Sequence, residues 1–215
     1  MSGTNGLKCQ IDEGEGMPSA NTGSLRDRRR AELVSQIRQT AQRLFAERGF
    51  DAVTTEEIAA AAGVSISTYF RYAPTKETLL VGLVREASAE IVESYSARPP
   101  DESPVEALIR IFVARAKEVT EVQKLDTWRQ AVATAPRLLS QSVLVTETER
   151  RQFVAQVASR MGVDAAADIR PALLVHTSLA TAKFVIDRWL AQPVDGPEFH
   201  VQLEEALRMA LTGFD

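Results

Sequence analysis

Thr54-Thr55-Glu56-Glu57-Ile58-Ala59-Ala60-Ala61-Ala62-Gly63-Val64-Ser65-Ile66-Ser67-Thr68-Tyr69-Phe70-Arg71-Tyr72-Ala73-Pro74-Thr75-Lys76-Glu77 is the run that decides the fold. Thr54 stands three residues before Glu57, the capping-box spacing at which a hydroxyl and a carboxylate satisfy otherwise unpaired donors of a helix start. The helix so begun is short, because Ile58 to Ala62 run directly into Gly63, whose missing Cβ permits the left-handed conformation of a tight turn. Ser65 can cap the next helix, and Pro74 must end it. Two helices of about two turns each, joined by Gly63-Val64-Ser65, predict a helix-turn-helix over about residues 54–73.

On the amino-terminal side, Val34, Ile37, Ala41, Leu44 and Phe45 recur at three- and four-residue spacing, which predicts a first helix ending at Gly49. Residues 1–24 have little apolar content and no periodicity, so they read as a flexible tail. On the other side, Thr75 can cap a long fourth helix carrying Leu80, Leu83, Ala87 and Ile91, which ends before Pro99-Pro100. Ser103-Pro104-Val105-Glu106 starts a fifth with an N-cap and a proline at the first helical position. Further helical patterns cover roughly 122–135, 142–161, 165–191 and 197–211, punctuated by Pro136, Gly162 and Pro193-Val194-Asp195-Gly196. No segment reads as a strand, so the expected fold is all-α with about nine helices.

The chain has 215 residues, of which 45 % are hydrophobic and 25 % charged, an ordinary globular composition that excludes disordered, collagen-like and disulfide-scaffold classes. Cys9 is the single cysteine, which excludes an intramolecular disulfide and a cysteine-rich metal site and leads us to expect the reducing cytoplasm. No apolar run reaches the roughly 18 residues that span a bilayer, so no membrane is expected as a partner. The net charge of −4 is unevenly placed: residues 24–80 hold nine bases and seven acids, whereas residues 81–215 hold fifteen bases and nineteen acids. The basic excess therefore sits with the helix-turn-helix.

That short third helix offers hydroxyls, an arginine and aromatic rings, with a lysine close behind. Ser67, Thr68 and Tyr72 can hydrogen-bond phosphates, and Arg71 and Lys76 can neutralise them. A helix-turn-helix is also a common packing unit, and Tyr69 and Phe70 can both belong to a core; spacing alone does not choose. Arg26, Arg28, Arg29 and Arg30 precede or open the first helix, where they can track a phosphate strand or form a solvated charged terminus.

Residues 33 to 80 resemble the amino-terminal domain of the tetracycline repressor (TetR) family of transcriptional regulators. The likeness runs from Leu44-Phe45-Ala46-Glu47-Arg48-Gly49-Phe50 through the Thr54-Thr55 pair, Ile58-Ala59 and Ala62-Gly63-Val64-Ser65. It continues through Thr68, Arg71-Tyr72, Thr75-Lys76-Glu77 and Leu79-Leu80. The resemblance implies that Thr55, Thr68, Tyr72 and Lys76 contact phosphates of double-stranded DNA. It implies that Ile66, Ser67, Phe70 and Arg71 face base edges or the flanking backbone. The chain departs from the family pattern at Ser67, where glycine is frequent, at Phe70, where tyrosine is frequent, and at Ala73, where an aromatic is frequent. Phe70 lacks a hydroxyl for a DNA contact but its ring can pack on a thymine methyl, and Tyr69 can fill the volume missing at Ala73.

Beyond the tail at 1–24, the resemblance implies a DNA-binding head at 25–80 and a ligand-binding and dimerisation body at 81–215. Within the body, Pro136-Arg137-Leu138-Leu139 and Asp187-Arg188-Trp189-Leu190 look like mycofactocin-type, acyl-CoA-responsive regulators, a likeness that rests on those short segments. Residues 165–191 are apolar nearly all round, and together with Phe199, Leu203, Ala206, Leu207 and Leu211 of the last helix they are the expected two-fold contact of a homodimer, or else complete a monomer's core. Candidate ligand contacts are polar or aromatic residues within apolar helices: Trp128, Arg129, His176, Thr177, Lys183 and Arg188. His176 reads equally as a satisfied core histidine, and the arginines as members of surface ion pairs.

No phosphate-binding glycine loop, HExxH, Gly-x-Ser-x-Gly or paired Cys/His set occurs in the chain, so neither an enzyme, a cofactor nor a metal is expected. The reading is a dimeric, ligand-responsive repressor bound to an inverted-repeat operator and released by a small apolar or amphipathic effector. The alternative is a helical adaptor or carrier that does not touch DNA. An adaptor would show neither sequence preference nor a steep inverse dependence on salt.

Overall fold

The computed structural model describes residues 25–122, 125–141, 145–192 and 198–212, and every regular element among them is a helix. The expected tail at 1–24 and the expected turn at Pro193 to Gly196 lie outside the described residues. The order is α1 (Leu25–Arg48), α2 (Thr55–Ala61), α3 (Ile66–Tyr72), α4 (Thr78–Ser96) and α5 (Pro104–Val122). Then follow α6 (Leu125–Ala133), α7 (Pro136–Gln141), α8 (Glu147–Met161), α9 (Arg170–Leu190) and α10 (Phe199–Leu211). The described residues thus hold ten helices where the sequence predicts about nine.

Four of the boundaries differ from expectation. Pro136 opens α7 instead of merely interrupting the chain, because a proline at the first helical position loses no hydrogen bond. The expected helix over 142–161 begins at Glu147: the Thr146 hydroxyl accepts from the Glu149 amide, and the Glu149 carboxylate accepts from the Thr146 amide. The expected helix from 165 begins at Arg170, because Asp164 and Asp168 draw the intervening amides into turns. Thr75 does not cap α4. Its carbonyl instead accepts a bond from the Thr78 hydroxyl at 2.6 Å, and α4 starts after this turn.

The apolar faces meet in two clusters. The first gathers Ile37, Ala41, Leu44 and Phe45 of α1, Ile58 and Ala59 of α2, Tyr69 of α3, and Leu79, Leu80 and Leu83 of α4. It does not stop at the head: Leu125, Trp128, Ala131 and Val132 of α6 and Trp189 of α9 belong to it. The second joins Ile91, Val92 and Tyr95 of α4 to α5, α8, α9 and α10. α4 therefore runs through both, and α6 lies against α1.

Polar bonds fix the same joints. The Phe50 amide donates to the Thr134 hydroxyl at 3.0 Å, and the Trp128 indole donates to the Leu80 carbonyl at 2.8 Å. Gln42, buried on α1, donates to the Leu79 carbonyl at 3.1 Å, while Arg38 pairs with Glu86. Each buried bond of this kind contributes on the order of 1 kcal/mol.

Candidate nucleic-acid interface and ligand cavity

α2 and α3 are positioned by short-range bonds of the kind the sequence predicts. The Thr54 hydroxyl accepts from the Glu57 amide at 3.2 Å, and the Glu57 carboxylate accepts from the Thr54 amide at 2.9 Å. That backbone bond, followed by the Arg48 guanidinium at 2.8 Å, holds the Glu57 carboxyl below the usual glutamate range. Gly63 turns the chain at φ +67°, a left-handed conformation costly for any residue with a Cβ. Ser65 then caps α3 by accepting from the Thr68 amide at 3.2 Å. Gln36 of α1 donates to the Ala62 carbonyl at 2.9 Å and pins the turn to the head.

The seven residues of α3 divide cleanly by face. Tyr69, and Ala73 just beyond the helix, are buried in the same cluster. Burial pushes the Tyr69 phenol up to about 12. On the opposite side Ile66, Ser67, Phe70 and Arg71 are exposed, and Phe70 is 48 % accessible despite being apolar. Of the two aromatics that could both be core, one is core and one is outside; their rings meet edge to face at 5.3 Å. Thr55, Thr68 and Tyr72 are half-buried at the flanks.

Charge accompanies this face. The Arg71 guanidinium lies 4.8 Å from the Tyr72 ring centre and that of Arg30 lies 5.9 Å from it. The start of α1, with Arg26, Arg28, Arg29 and Arg30 all exposed, is thereby brought beside α3. Lys76 has an internal task that the sequence did not disclose. Its ammonium donates to the Phe50 carbonyl at 2.8 Å and the Val53 carbonyl at 3.1 Å, 4.3 Å from the centre of the Phe50 ring. Two of its three donor protons are engaged in bracing the turn before α4 against the end of α1.

A cavity of about 460 Å³ opens between α4, α5, α6, α8, α9 and α10, a size ordinary for small-molecule sites. Leu83, Ile91, Phe112, Trp128, Leu179 and Trp189 supply much of its apolar wall. Of the predicted ligand contacts, Trp128, His176 and Lys183 line it. His176 is exposed, not a core histidine, and the Lys183 ammonium bonds both Asp187 oxygens at 2.6 and 2.5 Å.

Two predicted contacts, Arg129 and Thr177, are absent from the cavity wall. Buried Arg129 donates to the Trp189 carbonyl at 2.9 Å and the Gln192 carbonyl at 2.5 Å, 4.3 Å from the Trp189 ring centre. It brings a charged donor to carbonyls at the end of α9, where the helix dipole also favours a cation. Thr177 misses because α9 lines the cavity with His176, Leu179, Lys183 and Ile186, the three-to-four spacing of one face, and Thr177 stands about 100° round from His176. Arg188 is exposed and also absent from the wall. The sequence reading missed Arg115 and Arg150, which do line the cavity. Their signal, an arginine among the apolar residues of a predicted helix, was visible at Arg115 between Val113 and Ala116.

Among the described residues there is no group of side chains able to hold a metal ion, and no helix is long and apolar enough to cross a membrane.

Comparison with known proteins places both halves. The family of bacterial regulatory proteins, tetR family, matches residues 37–83, and the MftR C-terminal domain matches residues 102–215. The chain is 27 % identical over 195 residues to the HTH-type transcriptional regulator TcmR of Streptomyces glaucescens, covering 87 % of this chain and 86 % of that one. In fold it is similar to SmeT, the repressor of the Stenotrophomonas maltophilia multidrug efflux pump SmeDEF, with a TM-score of 0.55 and 17 % identity over 85 % of this chain and 92 % of that one. It is also similar to Thermus thermophilus FadR, solved with lauroyl-CoA, with a TM-score of 0.50 and 23 % identity over 84 % and 94 % of the two chains. The chain belongs to the TetR family of ligand-responsive, DNA-binding transcriptional regulators, with a body of the MftR type.

Proposed function

We propose that the chain is a homodimeric repressor that works in the cytoplasm, reading an inverted-repeat operator with one α3 from each subunit in successive major grooves. The observation that carries this reading is the exposed row of Ile66, Ser67, Phe70 and Arg71, held outward by the buried Tyr69 and flanked by the arginines of α1. In that arrangement Ile66, Ser67, Phe70 and Arg71 meet base edges or the adjoining backbone, while Thr55, Thr68, Tyr72 and Lys76 meet phosphates. Residues 25–80 form the DNA-binding head and residues 81–215 the body. Leu203, Leu207 and Leu211 of α10, expected at the two-fold contact, are instead buried in the chain's own core; it is Leu173 and Phe184 of α9 and Val201 and Met209 of α10 that are large apolar side chains left exposed, which supports pairing of these two helices across a two-fold axis.

The effector is a small apolar or amphipathic molecule, in the manner of an acyl-CoA, taken into the cavity. The lauroyl-CoA bound to the Thermus thermophilus FadR lends this support by analogy of fold. Trp128 joins cavity to head, since its ring lines the one and its N–H holds α4 at Leu80 in the other. A molecule that prefers one α4 position shifts the population toward dimers whose heads miss the operator spacing.

Selection of genomic fragments by the purified full chain, followed by titration of the selected duplex at increasing salt, tests the reading. The expected result is an inverted repeat bound with a steep inverse salt dependence. Absence of both sequence preference and salt slope identifies an adaptor and overturns it.

A further inference from the structure

Five exposed arginines of the head have no carboxylate partner among the described residues: Arg26, Arg28, Arg29 and Arg30 at the start of α1, and Arg71 on α3. Farther along the same first helix, Arg38, Arg43 and Arg48 each have one, in Glu86, Glu47 and Glu57. Tyr72 draws the two groups together, with the Arg30 guanidinium 5.9 Å and that of Arg71 4.8 Å from its ring centre. Set against Asp27 and Glu32 of the same stretch, the five arginines leave an excess of three positive charges. On α3 beside them, Ile66 and Phe70 are 39 % and 48 % accessible. Guanidinium groups around exposed apolar side chains suit an acidic segment of chain that also carries apolar residues.

Such a segment precedes the patch in the sequence. Ile11-Asp12-Glu13-Gly14-Glu15-Gly16-Met17 brings three carboxylates, equal to the excess, with Ile11 and Met17 at its two ends. Ten residues separate Glu15 from Arg26, and ten residues extend to at most roughly 35 Å, about three helix diameters. A tether of that length holds the acids near the patch at a local concentration on the order of millimolar, enough to populate a contact whose single ion pairs are weak.

We propose that the acidic run Asp12 to Glu15 docks on the α1 arginines and Arg71 of its own subunit, lies over Phe70, and so competes with DNA for the reading face. Its carboxylates take the places of phosphates, and a duplex displaces them because it presents a denser row of charge. The docking needs only the patch; its consequence for operator affinity rests on the repressor reading above.

Cys9 is the single cysteine of the chain and stands three residues before Asp12, so a nitroxide can be attached there alone. In the isotope-labelled full chain without DNA, amide resonances of α3 and of the start of α1 should broaden while those of α8 do not. The broadening should vanish in about 1 M salt, where charges are screened within roughly 3 Å, and on addition of the selected duplex. The triple variant Asp12→Asn, Glu13→Gln, Glu15→Gln should bind that duplex about three- to tenfold tighter at low salt, with the gap closing as salt rises. Broadening that is missing from α3 and α1, or spread evenly over the surface, overturns the inference, as does a triple variant that binds the duplex like the parent. Equal broadening of an isotope-labelled Cys9→Ser chain mixed with nitroxide-labelled chain assigns the contact to a second copy and overturns docking within one subunit. Docking without any DNA binding defeats only the repressor reading, and DNA binding without docking defeats only the inference.

Discussion

Lys76 sits where two backbone carbonyls and an aromatic face converge, and this changes what its removal should do. Lys76→Ala is expected to lower stability by about 1–3 kcal/mol, because the Phe50 and Val53 carbonyls lose a charged donor, and to weaken every DNA sequence alike. Thermal melts without DNA, beside binding to specific and scrambled duplexes, separate the two effects. Arg71→Ala should behave differently: Arg71 is exposed, so the melt should move by no more than about 0.5 kcal/mol while base preference in the selected sites relaxes. An Arg71 variant that loses affinity uniformly would move that residue from base edge to phosphate. Arg129 makes the contrast within the body. A polar residue within an apolar helix suggested a ligand role, but neighbouring residues on a helix diverge by about 100°, and which direction meets a cavity depends on helices far away in sequence. Arg129→Met should therefore cost stability, about 1–3 kcal/mol, through loss of its charged bonds to the Trp189 and Gln192 carbonyls.

Capping boxes set the starts of α2 and α8, and both hold a glutamate in ionised form. The backbone amide of Thr54 and then Arg48 lower the Glu57 carboxyl, while the hydroxyl and then the amide of Thr146 lower that of Glu149. A carboxyl whose folded pKa lies below its unfolded one stabilises fully above the unfolded value and loses that contribution as pH falls through the folded value. Melting temperature should thus decline from about pH 5 downward, and Glu149→Gln, which keeps an acceptor without the titration, should flatten the decline. Gly63→Ala should cost about 1–2 kcal/mol, since φ of +67° is strained for alanine whatever the space around it. Caps and turn glycines act over three or four residues, and that is why the helix-turn-helix was legible from sequence. The start of α9 was less so: the apolar pattern extends back to 165, but Asp164 and Asp168 claim the amides that a helix would need, a competition that hydropathy does not register. The brief α7 was hidden because Pro136 reads as a breaker until the geometry shows it at a first helical position.

For the molecule entire, the exposed Phe184 and Met209, 63 % and 75 % accessible, give the assembly its test. Phe184→Asp should convert a dimer to a monomer in sedimentation at micromolar concentration and abolish binding to the inverted repeat, with the helical signal retained. A variant that stays dimeric would move the interface off α9. The all-α class and the head with its outward row could be read from the chain because each rests on local pattern; the cavity could not, since its wall is drawn from six helices and its cations from three of them. The indole of Trp128 is shared property: chamber wall on one side, spine of the reading head on the other. A substitution at that position should therefore disturb the cavity wall and the anchoring of α4 together. His176 and Lys183 line the same cavity from α9 outside the cluster that α6 shares with the head, so substitutions there should leave the melt as in the parent.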